Sequence, residues 1–127
     1  MADESITAYC LLVDDSSVIR KVARRILSET ITEFAEASTG REALEICVAR
    51  IPDVILLDHD LPDMTALEIL SKLRAMPGGN HPRIILCLYE LDVPRIMRAK
   101  RAGADGYILK PFDRAYLTEQ FANILSV

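Results

Sequence analysis

Short apolar runs alternate along the chain with longer segments in which apolar residues recur every three or four positions, the pattern of strands alternating with amphipathic helices. The runs Tyr9 to Val13, Phe34 to Ala37, Val54 to Leu57, Ile84 to Leu88 and Tyr107 to Leu109 predict five strands. Val54-Ile55-Leu56-Leu57 and Ile84-Ile85-Leu86-Cys87-Leu88 are apolar without interruption, as strands buried on both faces are. The first helix is predicted from Ser17 to Ser28, with Val18, Val22 and Ile26 inward and Arg20, Lys21, Arg24 and Arg25 outward. Thr39-Gly40 opens a second helix with Ala43, Leu44, Cys47 and Val48 inward. A third, from Ala66 to Met76, buries Leu67, Leu70 and Leu73 and stops at Pro77-Gly78-Gly79-Asn80. A fourth begins near Pro94 and ends before Gly103, and a fifth follows Asp113 with Tyr116, Leu117, Phe121 and Leu125 inward.

Alternating β and α units of this kind build helices around a mostly parallel sheet. At 127 residues the chain has room for one such domain, 1–127, with residues 1–7 expected to be a flexible N-terminus. The net charge of −4 argues against DNA as a partner. No apolar run approaches the roughly 20 residues that span a bilayer, and the acidic N-terminus does not resemble an export signal, so a cytoplasmic location with no membrane contact is expected. Cys10, Cys47 and Cys87 lie far apart in apolar stretches, as buried free thiols of a reducing compartment do.

The chemistry gathers where the strands end. The first runs into Asp14-Asp15, the third into Asp58-His59-Asp60 and the fifth into Lys110-Pro111. In an open doubly wound sheet, ligands bind at the carboxyl ends of the strands where strand order reverses. A (βα)5 flavodoxin-like sandwich, with a parallel five-stranded sheet of order 2-1-3-4-5, would bring Asp14, Asp15 and Asp58 into one crevice. Carboxylates so close repel, and a divalent cation relieves them. Mg²⁺ suits a site of few protein oxygens because it keeps several waters. One carboxylate, one metal ion and the ammonium of Lys110 are the parts needed to form an aspartyl-phosphate, with Asp58 the nucleophile because it ends the central strand. Each piece has a plainer use as well: Asp14-Asp15 can cap the first helix, and Lys110 can be a solvated loop residue.

The stretches Leu11-Leu12-Val13-Asp14-Asp15, Pro52 through Asp58 to Pro62, and Ala102 through Lys110 to Phe112 resemble the receiver domains of two-component response regulators, and the resemblance covers nearly the whole chain. It implies that Asp14 and Asp15 hold Mg²⁺, that Asp58 is the phosphoacceptor, that Asp60 lends its backbone carbonyl to the metal, and that Lys110 contacts the phosphoryl group. It also implies a cis bond before Pro111. A CheY-like, single-domain receiver would take its phosphoryl group from a histidine kinase or a histidine phosphotransfer protein. It would signal to a downstream target protein rather than act as an enzyme on other molecules.

Several positions depart from the family. Receivers carry Thr or Ser at the end of the fourth strand, where this chain offers Cys87 or Leu88 depending on the direction of counting. Neither supplies the hydroxyl, and a hydrogen bond to a charged group contributes roughly 1.5 to 3 kcal/mol. Tyr107 matches the family's switch aromatic without its usual partner, and the phenol of Tyr89 is expected to substitute in part. Thr65-Ala66 stands where Asp-Gly is common, with Thr65 able to cap the third helix. His59 is expected at the rim of the site and not on the metal.

The surface that receivers use for output, formed by the fourth helix, fifth strand and fifth helix, is expected to carry Arg95, Arg98 and Arg101, with Lys100 and Arg114 nearby. Such a stripe is either a solvated helix face or an anion patch, and in some stand-alone receivers an arginine-rich segment here binds cyclic di-GMP. Two other functions fit parts of the pattern. A pseudo-receiver would keep the fold as a binding module without phosphorylation, and a haloacid dehalogenase-like phosphatase would use Asp58 and Asp60 as its DxD pair.

Overall fold

A computed structural model describes residues 6–125 and has five strands and five helices in strict alternation. The strands are β1 (Ile6–Val13), β2 (Ile31–Ala37), β3 (Val54–Asp58), β4 (Arg83–Leu88) and β5 (Gly106–Leu109). The helices are α1 (Ser17–Leu27), α2 (Gly40–Ala49), α3 (Ala66–Ala75), α4 (Val93–Arg101) and α5 (Arg114–Leu125). All strands are parallel in the order β2-β1-β3-β4-β5, the doubly wound arrangement expected from the sequence. Ile6 already pairs with Ile31, so the strand starts inside the segment assigned to a flexible tail, while residues 1–5 of that segment lie outside the described residues.

Alternation along each inner strand feeds two cores. Leu11, Val13, Ile55, Leu57, Ile84, Leu86 and Leu88 face the layer of α2, α3 and α4. Cys10, Leu12, Val54, Leu56, Ile85, Cys87 and Ile108 face α1 and α5, where Ala23, Ile26, Leu27, Leu117 and Phe121 meet them. The three cysteines are buried and free. Burial pushes the Cys47 thiol up to about 11 and raises Cys10 and Cys87 further.

Local chemistry fixes the helix ends. Ser16, Thr39 and Asp92 cap α1, α2 and α4, and Thr65 forms a reciprocal capping box with Glu68 on α3. After α3 the chain turns through Gly78, whose φ of 78° is in the left-handed region. Asp113 receives the backbone amide of Tyr116 at 2.8 Å, as a cap for α5. The helix faces differ from expectation in one respect: Val18, Val22, Val48 and Leu67 are exposed. Ala23, Leu27 and Ile69 take inward positions: α1 carries two apolar stripes, of which only one can meet the sheet, and in α3 the stripe of Ala66, Ile69, Leu70 and Leu73 leaves Leu67 outside.

Candidate functional site

The stripe that faces α1 and α5 is apolar through the sheet and turns charged at its carboxyl edge. Two residues past Leu12 comes Asp14, past Leu56 comes Asp58, and past Ile108 comes Lys110, each following the period of two that sets the face of a strand. All three side chains are buried. The Lys110 ammonium donates to Asp14 Oδ2 at 3.0 Å and to Asp58 Oδ1 at 3.1 Å. The loop after β1 is held by Ser16, whose amide donates to Asp14 Oδ1, and by Arg20, whose guanidinium donates to the Asp14 carbonyl at 2.6 Å while pairing with Glu36. The peptide bond between Lys110 and Pro111 is cis, and the Lys110 amide donates to the Leu88 carbonyl.

Burial, and after it the neighbouring Asp14 carboxylate, push Asp58 above the usual carboxylate range against the pull of Lys110. For Lys110, burial works against the charged form, yet the hydrogen bonds to Asp14 and Asp58 outweigh it and hold the ammonium above its ordinary value. Two buried carboxylates thus share one cation, and the cluster can take more positive charge.

Asp15 supplies it with an opening. Asp14, Asp15 and Asp58 each present one oxygen, all within 4.8 Å of one another, and Asp15 faces solvent. Three hard oxygen donors with open coordination positions fit Mg²⁺, which completes its shell with water or phosphate. Asp60 is exposed, and its backbone amide lies 3.5 Å from Asp58 Oδ1. His59 turns its ring toward the Cys87 carbonyl at 3.3 Å and stands 3.9 Å from Asp58.

The ambiguity at the end of β4 resolves in register. Cys87 pairs with Asp58 across the sheet and shares its face, whereas Leu88 points into the opposite core. The position beside the phosphoacceptor candidate therefore holds a thiol that burial keeps protonated. Tyr89 does not supply a hydroxyl in its place: among the described residues its phenol makes no hydrogen bond, and the face of its ring lies over the Lys110 ammonium, 4.5 Å from the centroid. Tyr107 sits half-exposed on β5, beside Leu86 of β4.

The arginine stripe is divided. Successive residues of a helix are turned by about 100°, so with Ile96 and Ala99 buried, Arg95 and Arg98 fall on the α3 side of α4. There they line a groove of about 150 Å³ with His59, Thr65 and Leu86. Arg95 also pairs with Asp92. Arg114 pairs with Glu29 beyond α1 and does not join the α4 patch, because an acidic partner is within its reach there. The side of α4 toward β5 exposes Val93 and Met97.

The sequence reading gave no role to four residues at the opposite edge of the sheet, Arg74, Asp105, Asp53 and His81. Arg74 donates to the carbonyls of Gly103, Gly79 and Pro82 and pairs with Asp105, tying together the starts of β4 and β5. Asp53, between β1 and β4, accepts the Tyr9 amide at 2.8 Å and meets His81 Nε2 at 2.7 Å. A lone Asp or Arg beside a loop carries no periodic signal, although Asp53 directly before a buried strand was a hint.

Residues 10–122 match the family model described as the response regulator receiver domain. The chain is 34% identical over 116 residues to the chemotaxis protein CheY of Halobacterium salinarum, a match that spans 91% of this chain and 95% of that protein. It is 31% identical over 115 residues to the chemotaxis protein CheY of Pseudomonas aeruginosa, spanning 90% and 93%. The structure of the chemotaxis response regulator CheY4 of Vibrio cholerae is similar, with a TM-score of 0.88, 30% identity and coverage of 94% of this chain and 100% of that one.

Proposed function

Because the chain belongs to the response regulator receiver family, we propose that Asp58 accepts a phosphoryl group from a histidine kinase or a histidine phosphotransfer protein, with Mg²⁺ held by Asp14, Asp15 and Asp58. The observation that carries this reading is the single ammonium of Lys110 shared by the two buried carboxylates, with a third carboxylate at the solvent side. A cluster of like charges that is incompletely neutralised is costly to keep in a buried site, and a phosphoryl acceptor that works with a cation gives it a use.

In the transfer, a carboxylate oxygen of Asp58 attacks phosphorus, and the bond from phosphorus to the donor's imidazole nitrogen breaks with its electron pair going to nitrogen. Lys110 lies within reach to neutralise a phosphoryl oxygen as a point charge. Bound Mg²⁺ supplies a Lewis acid and offsets the repulsion among the carboxylates. Asp60 is assigned to the metal through its backbone carbonyl. Val18 and Val22, exposed on α1 just beyond Asp15, offer the donor protein an apolar place to land. A downstream target protein is assigned to the side of α4 with Val93 and Met97, next to Tyr107.

The test is incubation with Mg²⁺ and acetyl phosphate, followed by intact mass. A phosphoryl mass gain in the wild type that Asp58→Asn abolishes is expected. Cys87 beside Asp58 favours a second reading, a binding module of the same fold that does not switch by phosphorylation. An unchanged mass in the wild type would select it. Cyclic di-GMP is then the ligand to titrate first, against Arg95→Ala and Arg98→Ala in the α3–α4 groove.

A further inference from the structure

Lys110 is almost fully covered, its side chain only 2% exposed, while Tyr89 beside it is 59% exposed. The ring is thus interposed between the ammonium and water. Its position is not forced by packing, since a cavity of about 220 Å³, lined by His59, Leu88, Glu90, Asp92 and Arg95, opens along the same side chain. The ring nevertheless lies on the cation at 4.5 Å, a distance at which the negative face of an aromatic ring attracts an ammonium. The Tyr89 hydroxyl makes no hydrogen bond among the described residues, so the contact is with the face of the ring alone.

We propose that Tyr89 is the positioning residue of Lys110: its ring holds the ammonium against Asp14 and Asp58 and roofs the crevice, sheltering a phosphoryl group on Asp58 from water. The ring thereby takes over part of what a hydroxyl at Cys87 would do, by a different interaction. The sheltering role rests on the phosphorylation proposed above, whereas the positioning of Lys110 does not. The step that the roof slows is hydrolysis, in which a water oxygen bonds to phosphorus and the bond from phosphorus to the Asp58 oxygen breaks. The carboxylate is restored, and the water's proton leaves with inorganic phosphate or to solvent.

The experiment compares wild type, Tyr89→Phe and Tyr89→Leu in two measurements. In the first, without phosphodonor, NMR follows the Lys110 ε-methylene protons. They are expected upfield in wild type and Tyr89→Phe, because they lie over a ring, and shifted back in Tyr89→Leu. In the second, the proteins are loaded with acetyl phosphate and Mg²⁺, freed of donor, and followed by intact mass. The phosphoryl half-life is expected to stay within about twofold in Tyr89→Phe and to fall about three- to tenfold in Tyr89→Leu, the range that a partly exposed cation–π contact commands. Equal half-lives in all three proteins overturn the sheltering role. A Tyr89→Phe protein as short-lived as Tyr89→Leu overturns the ring in favour of the phenol. Unshifted Lys110 protons in the wild type overturn the positioning itself. If the wild type takes up no phosphoryl group, the phosphorylation reading and the sheltering role fall together, and the NMR measurement still decides the positioning.

Discussion

Strand β3 has an aspartate at each end, and the fold treats them in opposite ways. Asp53, just before the strand, accepts a hydrogen bond from His81 and another from the Tyr9 amide, and these hold its carboxyl below the usual range. Asp58, which ends the strand, is buried beside Asp14, and its carboxyl is held above that range. One edge of the sheet is where aspartates and an arginine satisfy backbone groups. At the other edge, carboxylates exceed the cations that face them. Charges and polar groups are better compensated at the amino edge than at the carboxyl edge, and perturbed groups without full local compensation are what a working site leaves in a structure.

The sharpest way to break this contrast is to remove the ammonium that Asp14 and Asp58 share. Lys110→Met leaves two buried carboxylates facing each other, and the unfolding free energy at neutral pH is expected to fall by about 3 to 5 kcal/mol, read by chemical denaturation. Mg²⁺ should restore part of the loss, as should mild acid, which protonates a carboxylate. In the wild type the ammonium is held above its ordinary value, so its stabilisation is complete below the unfolded lysine value near 10.4. It is lost only as pH rises through the higher folded value. A loss below about 1 kcal/mol would mean that the carboxylates are already relieved in some other way.

At the amino edge the corresponding variant is Arg74→Met, which keeps the apolar stem and removes the guanidinium. Three carbonyls and the Asp105 carboxylate lose their donor, and a decrease of about 2 to 3 kcal/mol is expected, independent of Mg²⁺. Magnesium rescue at Lys110 and its absence at Arg74 would separate the two edges in one pair of titrations.

Legibility in the sequence follows the same division. The strands could be read because both faces of the sheet are covered, which makes Val54 to Leu57 and Ile84 to Leu88 continuous apolar runs. The carboxyl edge could be read because Asp14, Asp58 and Lys110 each terminate such a run. The choice between Cys87 and Leu88 could not, since it depends on register, and register appears only when Asp58 and Cys87 pair. The helix faces were half legible: Val18 and Val22 form a plausible inner stripe, but Ala23, Ile26 and Leu27 meet the sheet. Arg74 left no trace in any pattern, because all but one of its partners are backbone carbonyls, which every residue has.

A smaller effect, of opposite sign, is expected for Asp58→Asn. A carboxylate whose folded value is raised weakens the fold once pH exceeds the unfolded value near 3.9, and the penalty is absent at lower pH. The neutral amide removes the repulsion with Asp14 and leaves Lys110 paired to Asp14. A gain of about 1 kcal/mol at neutral pH, a rise of roughly 3 to 5 °C in thermal midpoint, is expected, fading in acid. Destabilisation at neutral pH would show that the bond to Lys110 outweighs burial and repulsion.

Asp53→Asn should give the smallest change and the mirror-image pH profile. The amide oxygen can still accept the Tyr9 amide, so the variant isolates the charge that His81 meets. Because the folded value of Asp53 is depressed, its contribution is present above the unfolded value near 3.9 and is lost as pH falls through the folded one. The side chain is 46% exposed, so solvent screens the pair and the loss at pH near 6 is expected to be only about 0.5 kcal/mol. Thermal midpoints of wild type and variant should therefore differ slightly near pH 6 and converge near pH 2, whereas those of Asp58→Asn and wild type differ in the other direction. A difference that persists in strong acid would assign Asp53 a purely geometric role, and the two ends of β3 would no longer be electrostatic opposites.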